Sequence, residues 1–178
     1  MTRLHTVQPE QATGRAAELF TAIKGAIGMV PNAYATIGSN SPKALEAALQ
    51  LDQTLGKSSL SAKQVETIKL AVSAHAGCDY CVAAHTLMGK RAGLGPHAMA
   101  AIRAGGTSGD GALDALAHFA RHLVSSSGTV AANHIAAIKA AHYSDTQIID
   151  ILLTIATITF TNLVNRVNDT VIDFPAAD

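Results

Sequence analysis

The residues of this chain best suited to chemistry are two cysteines and a histidine in the segment GCDYCVAAHTLMG. Cys78, Cys81 and His85 stand at i, i+3 and i+7, so on an α-helix they share one face and each lies within a turn of the next. The two cysteines can approach bonding distance at a frayed first turn, where the helix dipole and free N–H groups also favour a thiolate. The spacing therefore indicates a redox-active dithiol.

Glu66 is a candidate fourth member of this group. It lies eleven residues before the Gly77 turn, so in an antiparallel helix hairpin it comes level with the second or third turn of the cysteine helix, where His85 lies. Thiol redox chemistry also requires a proton for the leaving group, a task that suits a His–Glu relay. The alternative is that Glu66 is only a solvated partner of Lys69, three residues further on.

Lowering the pKa of a cysteine does not by itself make the thiol react much faster. An unperturbed cysteine with a pKa near 8.5 is about 3% thiolate at pH 7, and lowering the pKa by about two units raises that fraction roughly 25-fold. The intrinsic nucleophilicity of the sulfur falls roughly eightfold over the same change, which leaves a net gain of about threefold. Glu66 and His85 are therefore as important to the predicted site as the two thiols.

Other interpretations of the cysteine pair stay open. Buried cysteines are often inert apolar residues. A zinc site would use both cysteines and His85, but no fourth ligand or second ligand pair is evident, so we expect no metal and no cofactor. Haem attachment needs a histidine where Val82 stands, and a thioredoxin-like motif should follow a strand.

The bulk composition excludes several classes of partner. The 178 residues suit one domain, taken as residues 1–178, and 13 basic against 13 acidic residues leave no field to attract nucleic acid. The apolar stretch over 148–164 is interrupted by Asp150 and Asn162, so we predict a buried helix and no membrane span. No signal peptide is evident, and a cytoplasmic location is expected.

The balance of apolar and charged residues predicts self-association. Only 15% of the residues are charged, whereas 48% are hydrophobic and many of those are alanine. Close packing of alanine-lined helices, with apolar surface buried between subunits, would reconcile these figures. We therefore expect a homo-oligomer.

An all-α fold must position these residues, because no sustained period-two alternation appears and glycine and proline fall between helical stretches. Capping signals mark several helix starts, among them Ser41-Pro42 and the capping box of Ser61 and Gln64. Helices are predicted over about 9–26, from 42 past 55, over 62–77, 78–92, 113–123, 133–141 and 144–168.

Residues 144–147 repeat the capping box of residues 61–64 at an offset of 83. The match continues over further apolar positions, but Val164 stands where Cys81 would be repeated. The pattern predicts a degenerate internal helical repeat in which the second copy is scaffold.

These motifs resemble the alkylhydroperoxidase D group of the carboxymuconolactone decarboxylase superfamily. The pattern is Glu66, eleven intervening residues, Cys78-x-x-Cys81, and His85 after three more. A Val-Pro-Asn and a Ser-Pro segment upstream look like those of its peroxidase-related branch, so the resemblance covers roughly residues 27–168.

The resemblance implies an all-helical subunit, assembled as trimers or hexamers, that reduces hydroperoxides. Cys81 would be the peroxidatic thiol, activated by His85, and Cys78 the resolving thiol, with Glu66 relaying protons. An external dithiol, on a lipoyl protein or a thioredoxin-like protein, would reset the disulfide. In the best-known branch a histidine stands between the cysteines, where this chain has Tyr80. The true decarboxylases lack the cysteine pair.

We therefore predict a thiol-dependent peroxidase of alkyl hydroperoxides that serves antioxidant defence. Two alternatives are a general disulfide reductase or thiol-redox sensor, and a non-catalytic helical oligomer that binds a small apolar ligand.

Overall fold

The computed structural model describes residues 2–177, and over that range the chain is all-α, as predicted. A 3₁₀ turn over Pro9–Gln11 comes first. The α-helices of the described range are α1 (Gly14–Ile27), α2 (Asn32–Asn40), α3 (Pro42–Leu55), α4 (Ala62–His75), α5 (Asp79–Arg91), α6 (Pro96–Ala104), α7 (Gly111–Ser125), α8 (Ala132–Ala140) and α9 (Asp145–Asn168).

Local signals set the hairpin that carries the cysteines. The side chains of Ser61 and Gln64 form the predicted capping box at the start of α4, and the same box opens α9. The turn between α4 and α5 passes through Gly77, whose φ of 64° lies in the left-handed region that favours glycine. Cys78 is the N-cap of α5, so this helix begins where the sequence predicts.

Two helices are missing from the sequence prediction, which places a break around 28–32 and no helix between 96 and 104. Pro31 is the N-cap of α2, and Pro96 is the first residue of α6. A proline ends the preceding helix but also begins the next, because the first turn of a helix needs no N–H at that position. The first helix also starts later than predicted, at Gly14.

Helix α4 is the centre of the fold. Ile68, Leu70 and Ala71 are fully buried, and the helix packs against α5, α6, α7 and α9. Helices α1, α2 and α3 form a separate apolar cluster around Phe20 and Leu45, and α3 joins it to α9. A space remains where α1, α2 and α3 face α4, α5 and α9.

Helix α9 is only partly buried. By length and composition it is apolar enough to cross a membrane, and 28% of its most apolar window is buried in the fold. Its inward side carries buried threonines and asparagines, including Thr154 and Asn162. Its outward side exposes a row of large apolar residues, here called the α9 stripe: Ile149, Leu152, Phe160, Leu163 and Val167.

Candidate active site

The α4–α5 hairpin brings Glu66 and His85 into contact. Glu66 Oε2 lies 2.8 Å from His85 Nδ1, and the two side chains are 14% and 16% exposed. The sequence predicts that these two side chains lie level with each other in an antiparallel α4–α5 hairpin. The alternative partner, Lys69, is paired with Asp52 of α3 instead, at 2.8 Å.

The two cysteines are joined at the start of α5. Cys78 and Cys81 form a disulfide with a Cα–Cα distance of 5.3 Å, and they are 2% and 3% exposed. Cys78 Sγ also accepts the backbone N–H of Cys81, 3.3 Å away, as the side-chain cap of the helix. The sulfur of Cys78 thus lies at the first turn of α5, where the N–H groups of a helix favour negative charge.

A cavity of about 500 Å³ reaches this site. Its apolar walls come from α1, α3, α5, α9 and the C-terminal segment, and include Ile23, Leu49, Met88, Ile158 and Phe174. Cys81, His85 and Glu66 line the same cavity, whereas Cys78 is not among its lining residues. One sulfur of the pair therefore faces the cavity together with the carboxylate–imidazole pair.

Asn165 of α9 is a site residue that sequence reasoning misses. Its Nδ2 donates to Cys81 Sγ at 3.3 Å, and the side chain is buried and lines the cavity. Within residues 2–177 no hydrogen bond joins His85 to Cys81, so Asn165 is the side chain that holds the sulfur. The second copy of the repeat is thus more than scaffold. The available signal was three asparagines at i, i+3 and i+6 near the end of α9: Asn162, Asn165 and Asn168.

Tyr80, which lies between the two cysteines in the sequence, links α5 to α2 and to the C-terminal segment. Its hydroxyl accepts the backbone N–H of Ala33 at 3.2 Å, and its ring meets Phe174 edge to face at 5.5 Å. Burial raises the pKa of Tyr80 far above its usual value, the Ala33 N–H opposes the rise, and the nearby Asp173 adds to it. A phenol that stays protonated and ties α2 to α5 is poorly suited to relay protons.

A second polar group lies on the cavity wall opposite the disulfide helix. Tyr34 donates to Asp52 Oδ2 at 2.9 Å, and Lys69 Nζ binds the other carboxylate oxygen. Burial raises the pKa of Tyr34, and the charge of Asp52 adds to the rise. Since Asp52 already neutralises Lys69, this group offers no free positive charge to an anionic ligand.

Histidines elsewhere form no metal site in the part of the chain that is described. His122 and His134 stack with ring centroids 3.8 Å apart beside a smaller cavity between α7 and α8. Residues 2–177 hold no group of three histidine, cysteine or acidic side chains arranged to bind a metal ion.

The described chain combines an all-helical fold with a buried Cys-x-x-Cys pair and a hydrogen-bonded Glu–His pair, and comparison with known proteins identifies similar folds. Residues 42–122 match the carboxymuconolactone decarboxylase family. No curated protein sequence matches the chain.

Solved structures share the whole fold. The alkylhydroperoxidase AhpD core of a peroxidase-related protein from Ralstonia eutropha JMP134 superposes with a TM-score of 0.86, at 19% identity, over 97% of this chain and 92% of that one. A peroxidase-related protein from Silicibacter sp. TM1040 gives 0.77 at 20% identity, over 96% and 94%. The debrominase Bmp8 gives 0.80 at 22% identity, over 97% and 93%, and a variant of it has been solved with 2,3,4-tribromopyrrole.

Residues 42–122 are thus similar to the carboxymuconolactone decarboxylase family, and the described chain has the alkylhydroperoxidase D-like fold. Its relatives of this fold include a debrominase, so the fold serves more than one reaction.

Proposed function

We propose that this protein reduces organic hydroperoxides with the dithiol of Cys81 and Cys78. The observation that carries the proposal is that Cys81 lines the same cavity as the hydrogen-bonded Glu66–His85 pair. Nucleophile and proton donor thus face one binding space, while the second sulfur stands at bonding distance from the first.

The chemistry balances with these groups alone and an external dithiol. The Cys81 thiolate attacks the terminal oxygen of R–O–O–H, the O–O bond breaks, and the alkoxide takes a proton from the Glu66–His85 pair to leave as the alcohol. The sulfur is oxidised to a sulfenic acid. The Cys78 thiol then displaces water from it to form the disulfide, and two thiols of the reductant restore the dithiol.

The cavity favours a substrate with a bulky apolar group. Its walls are mostly aliphatic or aromatic, and it is large enough for an aryl or branched alkyl group. Burying about 80 Å² of apolar substrate surface at about 25 cal/mol per Å² stabilises the transition state by about 2 kcal/mol, or roughly 30-fold in kcat/KM. Hydrogen peroxide gains nothing from these walls.

The burial of both sulfurs restricts the reductant. With side chains only 2% and 3% exposed, the pair is out of reach of a thiol fixed on a flat protein surface. A dithiol on a long slender arm, such as a lipoyl group, can enter the cavity. We therefore favour a lipoyl protein over a thioredoxin-like partner, in the cytoplasm, where thiols are kept reduced.

The test is peroxide consumption by the wild-type protein with dihydrolipoamide as the reductant. We expect kcat/KM for cumene hydroperoxide to exceed that for hydrogen peroxide by roughly 30-fold, because only the former fills the apolar cavity. Oxidation no faster than that of free cysteine would overturn the proposed function. Equal values for the two peroxides would overturn only the substrate class.

Reductive dehalogenation is a second candidate, favoured by the apolar cavity and by the debrominase of the same fold. The dithiol would supply two electrons: Cys81 takes the bromine from an aromatic ring, the ring carbon takes a proton, and Cys78 displaces bromide to form the disulfide. Bromide release from a brominated pyrrole, measured beside peroxide consumption under the same conditions, separates the two reactions.

The remaining alternatives fit less well. A general disulfide reductase must meet protein disulfides, and this pair is buried. A passive binder of apolar ligands does not require a partly buried Glu66–His85 hydrogen bond in the wall of its cavity, since removing polar groups from water costs free energy.

We propose further that the α9 stripe is covered by a second copy of the chain, in the trimer or hexamer that the resemblance implies. The stripe residues are separated by three, four or eight positions and so lie on one face of the helix, and Leu163 is 60% exposed. It carries no charge to select another partner.

Light scattering should show an oligomer for wild type and a monomer for Leu163→Arg, because a buried unpaired charge opposes association. Circular dichroism controls for folding, and a wild-type monomer would contradict the proposal.

A further inference from the structure

We infer that Asn165 is a further catalytic residue, which holds the Cys81 thiolate with its amide nitrogen and the O–H of the bound hydroperoxide with its amide oxygen. The inference rests on the proposed function and deepens it.

The first observation is an amide that is only half used. Asn165 is 4% exposed, and Nδ2 donates to Cys81 Sγ, but Oδ1 is buried and has no hydrogen-bond partner. Leaving a buried acceptor without a donor costs about 1–3 kcal/mol. Asn165 is among the residues that line the cavity, and we infer that a ligand bound there supplies the missing donor.

The neighbouring asparagines of α9 differ from Asn165 in the atom that is left without a partner. Asn168 Oδ1 accepts the backbone N–H groups of Arg3 and Leu4, and its Nδ2 donates to threonine hydroxyls. Asn162 Oδ1 accepts from Ser73 Oγ at 3.1 Å, while its buried Nδ2 has no partner. Of the three amides, Asn165 is the one that lines the cavity, and it is the one with an unpartnered oxygen.

A hydroperoxide can supply the hydrogen-bond donor that Asn165 Oδ1 lacks. An R–O–O–H molecule carries one hydrogen-bond donor, on the terminal oxygen that the thiolate attacks. Glu66 Oε2 is bonded to His85, whereas the unpartnered oxygen of Asn165 belongs to the same amide that donates to Cys81 Sγ. We therefore assign Asn165 Oδ1 as the acceptor of the hydroperoxide O–H. Because both ends of one amide are used, an O–H held at Oδ1 stands beside the sulfur, where attack on that oxygen is aligned.

Each proton has a defined place in this step. Nδ2–H stays on Asn165 and stabilises the Cys81 thiolate through a charge-assisted hydrogen bond. The proton held at Oδ1 stays on the terminal oxygen and becomes part of the sulfenic acid. The departing alkoxide takes its proton from the Glu66–His85 pair, so Asn165 positions both reactants and transfers no proton.

The experiment compares two rates on the reduced protein: oxidation of Cys81 by cumene hydroperoxide in stopped flow, and alkylation of Cys81 by iodoacetamide. Alkylation reports the thiolate, whereas oxidation reports the thiolate and the alignment of the peroxide. For Asn165→Leu we expect oxidation to slow about 100-fold, as when one preorganised hydrogen-bonding group is lost, and alkylation to slow less than about tenfold.

A second variant keeps the inference testable if the leucine disturbs folding. Asn165→Asp preserves the shape and an acceptor but places a negative charge beside the sulfur, so the pH of half-maximal alkylation should rise by about one unit or more. Asn162→Ala, which removes a buried amide one turn away that does not line the cavity, is the matched control and should leave both rates near wild type.

Two results would overturn the inference alone: wild-type oxidation rates in Asn165→Leu, or oxidation and alkylation slowed by the same factor. A wild-type protein that does not react with the hydroperoxide overturns the proposed function and this inference together.

Discussion

Replacing Cys81 by serine should abolish turnover of cumene hydroperoxide. The thiolate is the nucleophile of the proposed reaction, and a serine hydroxyl stays protonated and does not attack an O–O bond at neutral pH, so consumption should fall by at least about 1000-fold. The substitution removes only the sulfur that lines the cavity. Peroxide consumption with dihydrolipoamide measures it, and a wild-type rate in Cys81→Ser would contradict the assignment.

Replacing Cys78 should give a different result, which makes it the matched control. Cys78 is not among the residues that line the cavity, so Cys78→Ser should still react once with peroxide at a rate close to that of wild type. Without a resolving thiol the product stays a sulfenic acid. Intact-mass analysis should show the gain of one oxygen, where wild type loses two hydrogens. The opposite pattern would exchange the roles of the two cysteines.

The second large effect is expected from the Glu66–His85 pair. General acid catalysis contributes typically about 10²- to 10⁴-fold, so His85→Ala should slow oxidation by cumene hydroperoxide by about 100-fold or more. Glu66→Gln should give a smaller loss, because the imidazole remains but loses the carboxylate that orients it at 2.8 Å. Alkylation of Cys81 should change less than oxidation in both variants.

The double variant tests whether the two side chains act as one unit. If they do, Glu66→Gln in the His85→Ala background should have little further effect, since the effects of coupled residues are not additive. His75→Ala and Glu46→Gln serve as controls, because His75 is exposed beside the cysteine turn and Glu46 is paired with Arg15 on the surface. If the losses in oxidation rate of the two single variants multiply in the double variant, the two side chains act separately.

Much of the helical framework could be predicted from local signals. The capping boxes at Ser61 and Ser144 and the glycine turn at Gly77 act within a few residues, so their effect can be read from the chain. The helices at 32–40 and 96–104 were missed because the proline before or at their first residue was interpreted only as a stop.

The sequence by itself determined the reactive group on one helix. Cys78, Cys81 and His85 share a face because of the helical period, and Glu66 meets His85 because a tight hairpin fixes the register of two consecutive helices. These are short-range relations, and the spacing of residues along the chain defines them.

Only the tertiary structure decided what surrounds that group. Asn165 lies 84 residues from Cys81 in the sequence but donates a hydrogen bond to its sulfur. Lys69 forms an ion pair with Asp52 across the α3–α4 contact and not with Glu66. The cavity itself has walls from six helices and the C-terminal segment. Such contacts depend on how helices distant in sequence pack against one another, which no local pattern specifies. The apolar cavity and the half-used amide of Asn165 are therefore properties of the packed fold.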